Sequence, residues 1–283
     1  GGSSTESGRV STSSTSSRRS SGLSLLTPSS VTSPLTVVEF WAQGHNDPLT
    51  ILFLLLALTA ALRNRWSWAF GWWALAALTK FWPAILLPFF LLRQEQDRWV
   101  LRWKPALVSI PIAVAVSWPY LDGIWDVQEL LRGFLGGWRN NDSLYGLLYA
   151  LAGEDFERGT ALAGGLLVAA LAAVWWKRMP LVESVLWAVV LLLLLSANCF
   201  PWYLSWLLPF LAVYPNAALL LWTALVTLSY HVVIGYGALD VWRESPEFRL
   251  LEYVPVYGML IGQFLVRRFG RARRGLGARM SGS

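Results

Sequence analysis

The sequence predicts an all-α protein, a polytopic bundle of transmembrane helices, and three observations support this prediction. Of its 283 residues, 55% are hydrophobic and only 14% are charged, against about 25% charged in a soluble domain. The mean hydropathy is +0.47, and the apolar residues form long runs after position 47. The chain also has 18 tryptophans, which are enriched at membrane interfaces. Together these features exclude a soluble enzyme, a secreted disulfide scaffold and a disordered regulator.

Composition divides the chain into three regions. Residues 1–36 contain 20 Ser or Thr, and such a segment cannot bury enough apolar surface to offset its ordering entropy, so we predict a disordered tail. Residues 37–268 form the predicted membrane domain, and residues 269–283 a basic cytoplasmic tail. Because residue 1 is Gly, we expect the chain to be a fragment.

About eight or nine spans are predicted from Pro48 onward, where apolar runs alternate with short polar breaks. Several runs are shorter than the roughly 20 residues of a perpendicular crossing. The predicted spans are 48–62, 66–79, 81–93, 105–120, 160–176, 180–197, 203–214, 216–236 and 251–267. Residues 66–93 form either one long helix or a pair that is broken around Lys80–Pro83.

Charge distinguishes these two alternatives for residues 66–93. If the segment crosses twice, 14 Lys or Arg residues fall on one side of the membrane and six on the other. A single crossing would mix the two groups. Since Lys and Arg in short loops mark the cytoplasmic side, we predict a broken pair, with the larger group in the cytoplasm. The outer loop then includes residues 124–135, whose pattern predicts an amphipathic helix in the interface.

The first candidate site directly precedes the span 48–62 on the outer side. Glu39, His45, Asn46 and Asp47 bring carboxylates, an imidazole and an amide to the mouth of one helix. Asn46 or Asp47 alone could cap this helix, with Pro48 at its first position. Capping does not explain Glu39 and His45, whose groups suit acid–base chemistry or binding of a polar headgroup.

Two further candidates lie at breaks between apolar runs. Lys80 between two half-helices is costly unless it has a partner, and a lipid phosphate is a natural one; snorkelling to the interface is the alternative. Pro201 should stop the preceding helix and expose backbone beside Asn198, Trp202 and Tyr203. These rings could stack on a sugar, or they could belong to an aromatic belt.

Other polar residues give weaker indications. Arg139 and Asn141 in the outer loop are secondary candidates for substrate binding, whereas His231 is better explained by packing. The single cysteine, Cys199, cannot form an internal disulfide, and two histidines cannot supply a multi-histidine metal site. We therefore predict no metal and no nucleic-acid partner, because the basic residues lie at the ends of apolar segments.

From about Leu35 onward, the sequence resembles the polyprenol-phosphate-sugar-dependent glycosyltransferases of the membrane GT-C class, especially bacterial mannosyltransferases akin to glycosyltransferase family 87. The order and spacing of three stretches carry this resemblance over most of residues 35–267. They are Pro34–Phe40 with Gly44–Asp47, Leu78–Lys80 leading to Pro83 and Pro88, and Pro201–Tyr203 followed by Trp206–Pro209.

The resemblance implies a helical membrane fold with its active site on the extracytoplasmic face. It also implies transfer, with inversion, of a sugar from a polyprenyl-phosphate donor to a lipid-linked or glycan acceptor. Family members have spans before the Glu39 region and a catalytic acidic residue in their first outer loop. Here the Ser/Thr-rich tail takes that place, with Glu6 as its one acid, so we expect the fragment to lack the family's base and to be inactive by itself.

The predicted function is therefore that of a multi-pass plasma-membrane glycosyltransferase, with mannose as the sugar. A transporter, a lipid flippase or a non-catalytic fragment is the alternative. The predicted catalytic residues are Glu39, His45 and Asp47, and the predicted substrate-binding residues are Asn46, Lys80, Arg139, Asn141, Asn198, Trp202 and Tyr203. The bilayer, the polyprenyl-phosphate sugar donor and the acceptor are the expected partners, and no further cofactor is expected.

Overall fold

The computed structural model describes residues 34–95, 98–123 and 137–280, and these residues are mostly helical, as predicted. The helices are α1 (Pro34–Thr36), α2 (Asp47–Leu62), α3 (Trp66–Thr79), α4 (Leu87–Leu91), α5 (Trp103–Ala106), α6 (Ser109–Ser117), α7 (Leu144–Leu151), α8 (Phe156–Trp176), α9 (Leu181–Leu195), α10 (Leu208–Leu211), α11 (Ala217–Leu225), α12 (His231–Leu239) and α13 (Pro246–Met280).

Non-α segments extend or join several of these helices. A π-helical segment, Val37–Ala42, follows α1. Four segments are 3₁₀ helices. Trp82–Leu86 precedes α4, Trp118–Gly123 follows α6, Pro201–Leu207 precedes α10, and Val226–Tyr230 joins α11 to α12. The predicted interfacial helix at 124–135 lies outside the described residues.

A small antiparallel hairpin interrupts the helical architecture. Strand β1 (Leu92–Glu95) pairs with β2 (Arg98–Leu101), with Leu92 opposite Leu101. The guanidinium group of Arg102, which follows β2, lies 3.6 Å from the centre of the Trp66 ring. The polar residues of this stretch predicted a break between two spans, and the strands were not predicted.

Among the residues that the structure describes, three helical stretches are long and apolar enough to cross a membrane: Trp103–Gly123, Phe156–Trp176 and Ala217–Gly237. Asp47–Leu62, Trp82–Leu91 and Leu181–Leu195 are apolar but shorter. The described stretches agree in position with the predicted spans. This supports a membrane protein, while the count of eight or nine crossings stays a prediction.

Both predicted helix breaks are present. After α3, Lys80 adopts an extended conformation (φ −147°, ψ 142°), and a new 3₁₀ segment begins at Trp82. The prolines at 83 and 88 lack backbone N–H groups and disfavour a continuous α-helix here. The second break follows α9, where Ser196 is extended and helical structure resumes at Pro201.

The core surrounds α9, which packs against α4, α8 and the 3₁₀ segment Pro201–Leu207, and this segment in turn packs against α2. Val185 and Val189 are fully buried in it, as are Leu58 of α2 and Phe90 of α4. Because α9 ends at the second break, this packing fixes segment 196–207 relative to α2. The candidate site is built on that segment.

Candidate functional site

The first cluster gathers polar side chains from four separate elements at the two helix breaks. Glu39 comes from the π-helical segment, and His45 and Asp47 from the entry to α2. Lys80 comes from the break after α3, and aromatic rings come from Pro201–Leu207. Residues predicted separately from three sequence motifs therefore lie together, and we call them the entry cluster.

Asp47 is a fully buried carboxylate with two donors. Lys80 Nζ donates to its Oδ2 at 2.9 Å, and Trp206 Nε1 donates to its Oδ1 at 2.6 Å. Neither Asp47 nor Asn46 caps α2: Asn46 occupies the N-cap position but makes no side-chain capping bond. The capping interpretation is therefore wrong in this structure. The Asp47 carboxylate instead forms an ion pair with Lys80.

Glu39 repeats this arrangement with His45. Its carboxylate is fully buried, and its Oε2 lies 3.6 Å from Nε2 of His45. The Tyr230 hydroxyl donates to Glu39 Oε1 and accepts a 3.0 Å hydrogen bond from Gln43 Nε2. Burial raises the pKa of the Glu39 carboxyl above its ordinary value of 4.5, while the Tyr230 hydrogen bond and His45 oppose this effect.

Aromatic rings surround His45 and Lys80 of the entry cluster. The His45 ring stacks on Trp202, with 4.2 Å between their centroids. Lys80 Nζ lies 5.5 Å from the centre of the Tyr203 ring and 5.9 Å from that of Trp206. Such rings attract cations through their π faces, and they also offer flat apolar surfaces to a pyranose ring.

The carboxylates of the entry cluster differ in exposure from their partners. The side chains of Glu39 and Asp47 are 0% exposed, whereas those of His45 and Lys80 are 26% and 24% exposed. A ligand can therefore reach the imidazole and the ammonium group, each of which has a carboxylate behind it. The predicted catalytic carboxylates lie behind these groups, not at the surface.

The second cluster connects residues 138–142 to α13. The backbones of Asn140 and Asn198 form a parallel bridge, in which Asn140 N donates to Ala197 O at 3.0 Å and Cys199 N donates to Asn140 O at 2.9 Å. Asn198 Nδ2 donates to Trp138 O. These residues form the loop cluster, together with those described next: Arg139, Asn141, Asp142, Glu244, Arg249 and Glu252. The loop cluster contacts segment 196–203 through Asn198 and Cys199, whereas the entry cluster contacts the same segment through Trp202 and Tyr203.

Asn141 is buried and has structural partners. Its Nδ2 donates to the Cys199 carbonyl at 3.1 Å and to Glu252 Oε2 at 3.0 Å, and its backbone is in the left-handed region (φ +52°). Trp222 Nε1 also donates to Glu252, at 2.8 Å. These bonds tie the loop to α11 and α13, so Asn141 is placed to hold the fold.

Arg139 takes part in a network of charges. Its Nε donates to Asp142 Oδ2 at 2.6 Å, and Arg249 Nη1 donates to Asp142 Oδ1 at 2.6 Å. Glu244 lies 3.7 Å from Arg249, and its Oε1 accepts from the backbone of Asn141. Arg139 is thus away from the entry cluster and lines a separate cavity.

Several contacting residues were not predicted from the sequence. Tyr230 and Gln43 complete the surroundings of Glu39, but neither had a sequence signal beyond its polarity. Glu252 and Arg249 complete the loop cluster. Glu252 could have been selected from the sequence, because a carboxylate inside a predicted span requires a partner. His231 has the packing role expected: it stacks on Phe248 and accepts a hydrogen bond from Ser245 N.

Within the part of the chain that the structure describes, no three His, Cys, Asp or Glu residues come together as a metal site. Cys199 is buried and unpaired.

Comparison with known proteins identifies the first part of the chain. Residues 26–94, about a quarter of the sequence, match the family model described as alpha-(1->6)-mannopyranosyltransferase, N-terminal domain. The matched segment contains Glu39, His45, Asp47 and Lys80. It confirms the resemblance to GT-C-like mannosyltransferases and the prediction of a glycosyltransferase. No curated protein and no solved structure matches the chain.

Proposed function

We propose that the chain is a multi-pass membrane mannosyltransferase whose entry cluster is the active site on the extracytoplasmic face. The donor is mannose on a polyprenyl phosphate, and the acceptor is a lipid-linked or glycan hydroxyl. One observation carries the proposal: two accessible groups, His45 and Lys80, lie against aromatic rings, and each is paired with a buried carboxylate. The family match supports mannosyl transfer over transport without chemistry.

Lys80 is assigned to the donor phosphate. Its ammonium group is partly exposed, and Asp47 holds it 2.9 Å away beside Tyr203 and Trp206. A lysine binds phosphate as a point charge. The same cation stabilises the negative charge that develops on the phosphate as the bond to the sugar breaks.

His45 is assigned to the acceptor hydroxyl, with Glu39 as a positioning residue. As the acceptor oxygen bonds to the anomeric carbon, the bond from that carbon to the phosphate oxygen breaks, and the hydroxyl proton passes to Nδ1 of His45, because Nε2 is buried against Glu39. The polyprenyl phosphate leaves with the electron pair of the broken bond, beside Lys80. Glu39 stabilises the imidazolium that forms, because its carboxylate lies 3.6 Å from the opposite ring nitrogen, Nε2.

The aromatic residues are assigned to the sugar. Trp202 stacks on His45, Tyr203 lies beside Lys80, and the two rings contact each other edge to face. In this proposal Asn198 positions the segment that carries these two rings. Asn141 and Arg139 contribute indirectly, as members of the loop cluster that holds this segment. Asn46, which is exposed at the start of α2, is assigned to the rim of the site.

The test is transfer by the full chain in lipid nanodiscs, because in this proposal His45 takes the role of the base that the resemblance would place before Glu39. Polyprenyl-phosphate mannose and GDP-mannose are offered separately, with an α-mannoside acceptor, and the product linkage is determined. We expect product from the polyprenyl donor alone. Lys80→Ala should raise the KM for that donor by a factor that corresponds to about 1–3 kcal/mol, while Lys80→Arg should retain much of the affinity.

Lys104→Ala is the matched control, because Lys104 follows the hairpin on the predicted cytoplasmic side and does not contact the entry cluster. Its donor KM should be unchanged. Efficient use of GDP-mannose, or an unchanged donor KM in folded Lys80→Ala, would contradict the assignment of the donor phosphate to Lys80.

A further inference from the structure

A cavity of about 430 Å³ lies between the outer loop and α13, apart from the entry cluster. One wall is a stripe along α13, and the other is the start of α7 with the residues before it. The lining residues are Arg139, Asp142, Ser143, Leu144, Gly146, Pro246, Arg249, Leu250, Tyr253, Val254 and Tyr257. The volume is large enough for a hexose with the beginning of an attached chain.

One side of this cavity is charged but balanced. Arg139 and Arg249 both donate to the carboxylate of Asp142, and Glu244 lies 3.7 Å from Arg249. Gly146 makes the close approach possible, since a Cβ there would lie 2.6 Å from an oxygen of Asp142. Each guanidinium has five N–H donors, so donors remain for a ligand after these ion pairs are made.

The other side is aliphatic and faces outward. Leu250 and Val254 are 61% and 60% exposed, and Leu147 on α7 is also exposed. In a membrane protein, exposed aliphatic side chains next to a predicted span face lipid. The cavity therefore has hydrogen-bonding groups inside and an apolar edge through which a lipid could enter from the bilayer.

We propose that this cavity binds a glycolipid, with its sugar against the Arg139–Asp142–Arg249 network and its chain along Leu250 and Val254. The inference deepens the proposed function and rests on it, because the glycolipid would be the acceptor. Paired charges and tyrosines suit a neutral polyol, whose hydroxyls both donate and accept hydrogen bonds. The two guanidinium groups face the carboxylates of Asp142 and Glu244, so this wall of the cavity carries no formal net charge.

The cavity and the entry cluster are connected through one short segment. Asn198 belongs to the loop cluster, and Trp202 stacks on His45. Asn198 and Trp202 are four positions apart, so their Cα atoms are separated by at most about 14 Å even in a fully extended chain. A sugar chain anchored in the cavity could therefore present a terminal hydroxyl to the entry cluster.

The test compares two neighbouring leucines of α13 with nearly equal exposure. Leu250 lines the cavity, whereas Leu251, which is 59% exposed, does not. Full-length Leu250→Trp and Leu251→Trp proteins are assayed in nanodiscs with polyprenyl-phosphate mannose and either octyl or methyl α-mannoside as acceptor. We expect Leu250→Trp to raise the KM for octyl mannoside about tenfold, the effect of excluding roughly two methylene groups from apolar contact. The donor KM should stay unchanged, as should both constants in Leu251→Trp.

An octyl mannoside that carries a diazirine in its chain gives a second readout that does not need turnover. We expect cross-links to α13 that excess octyl mannoside prevents and that Leu250→Trp abolishes. If labelling occurs without any transfer, the glycolipid site stands and the proposed function fails. If transfer occurs but labelling is absent, or if both tryptophan variants behave alike, the inference is overturned. Protection by phosphatidylglycerol vesicles and not by octyl mannoside would overturn it as well, by making the occupant a membrane phospholipid.

Discussion

Lys80 donates a 2.9 Å hydrogen bond to Asp47, a residue 33 positions earlier in the chain. The pair joins the start of α2 to the break after α3, and Glu39 with His45 forms a second pair beside it. In both pairs the carboxylate is buried and its partner is accessible. The acidic residues of the entry cluster are therefore placed to control the charge and orientation of the groups that a substrate would touch.

Asp47→Asn should lower kcat/KM about tenfold or more, because the neutral amide no longer balances Lys80 and transition-state stabilisation falls by about 1–3 kcal/mol. The melting temperature should fall as well, since the buried bond from Trp206 is also affected. Steady-state transfer and thermal unfolding of the same preparation measure the two effects.

Asn46→Ala is the matched control, one residue away. A lost capping bond costs about 1 kcal/mol, but Asn46 makes no side-chain capping bond. The melting temperature should therefore be unchanged, and kcat/KM should fall less than in Asp47→Asn, because Asn46 lies at the rim of the proposed site. A silent Asp47→Asn variant combined with a destabilised Asn46→Ala variant would restore the capping interpretation.

Much of this fold follows from the distribution of apolar and charged residues. The apolar runs predicted helices at the observed positions, and the prolines at 83 and 201 predicted the two breaks. The hairpin at 92–101 was missed because it is short and mostly polar. Its formation depends on contacts with distant residues, such as the 2.7 Å hydrogen bond from Trp175 Nε1 to Leu92 O.

The site was partly predictable for a similar reason. A charged or polar residue beside an apolar run requires a partner, so Glu39, Asp47 and Lys80 could be selected individually. Their pairing could not, because it depends on how α2 and α3 pack. Tyr230 lies 191 residues from Glu39, and no local pattern predicts a contact at that separation.

Helix α8 offers a direct test of membrane topology. Glu157 and Lys177 are exposed at opposite ends of this apolar helix of 21 residues, which is about 30 Å long. An impermeant thiol reagent added outside intact cells should label Glu157→Cys and leave Lys177→Cys unlabelled until the membrane is opened. The native Cys199 is buried, so background labelling should be low. Labelling of Lys177→Cys from outside would overturn the orientation inferred from charge.

Asn141 should matter for stability more than for donor affinity. Asn141→Ala loses the bonds to Glu252 and to the Cys199 carbonyl and places a less suitable residue at positive φ, so the free energy of unfolding should fall by about 2–4 kcal/mol. Asn141→Gly keeps the backbone conformation and isolates the loss of the side chain. Denaturant unfolding in micelles compares the variants, and a changed donor KM at wild-type stability would instead assign Asn141 to substrate binding.

Glu39 should make stability depend on pH. Because burial raises its pKa above 4.5 in the folded protein, the folded state binds more protons than the unfolded chain between these two pKa values. The free energy of unfolding attributable to Glu39 therefore falls as pH rises through that interval. Glu39→Gln removes this dependence, so the Tm of the variant relative to wild type should rise with pH above about 4.5. A constant difference across the pH series would contradict the raised pKa.

His45 provides the sharpest distinction between chemistry and packing in the entry cluster. If its imidazole accepts the proton of the acceptor hydroxyl, His45→Ala should lower kcat by about 10²–10⁴-fold and leave the donor KM unchanged. His45→Phe is the informative companion, because it keeps an aromatic ring against Trp202, which lies 4.2 Å away in the native stack, but provides no nitrogen. We expect both variants to be equally impaired, and added imidazole to restore part of the activity of His45→Ala only, where the missing ring leaves space. Single-turnover measurements with saturating donor separate the chemical step from product release. Near-normal turnover by His45→Phe would show that the ring is only a stacking surface, and the proton acceptor would then have to be another group.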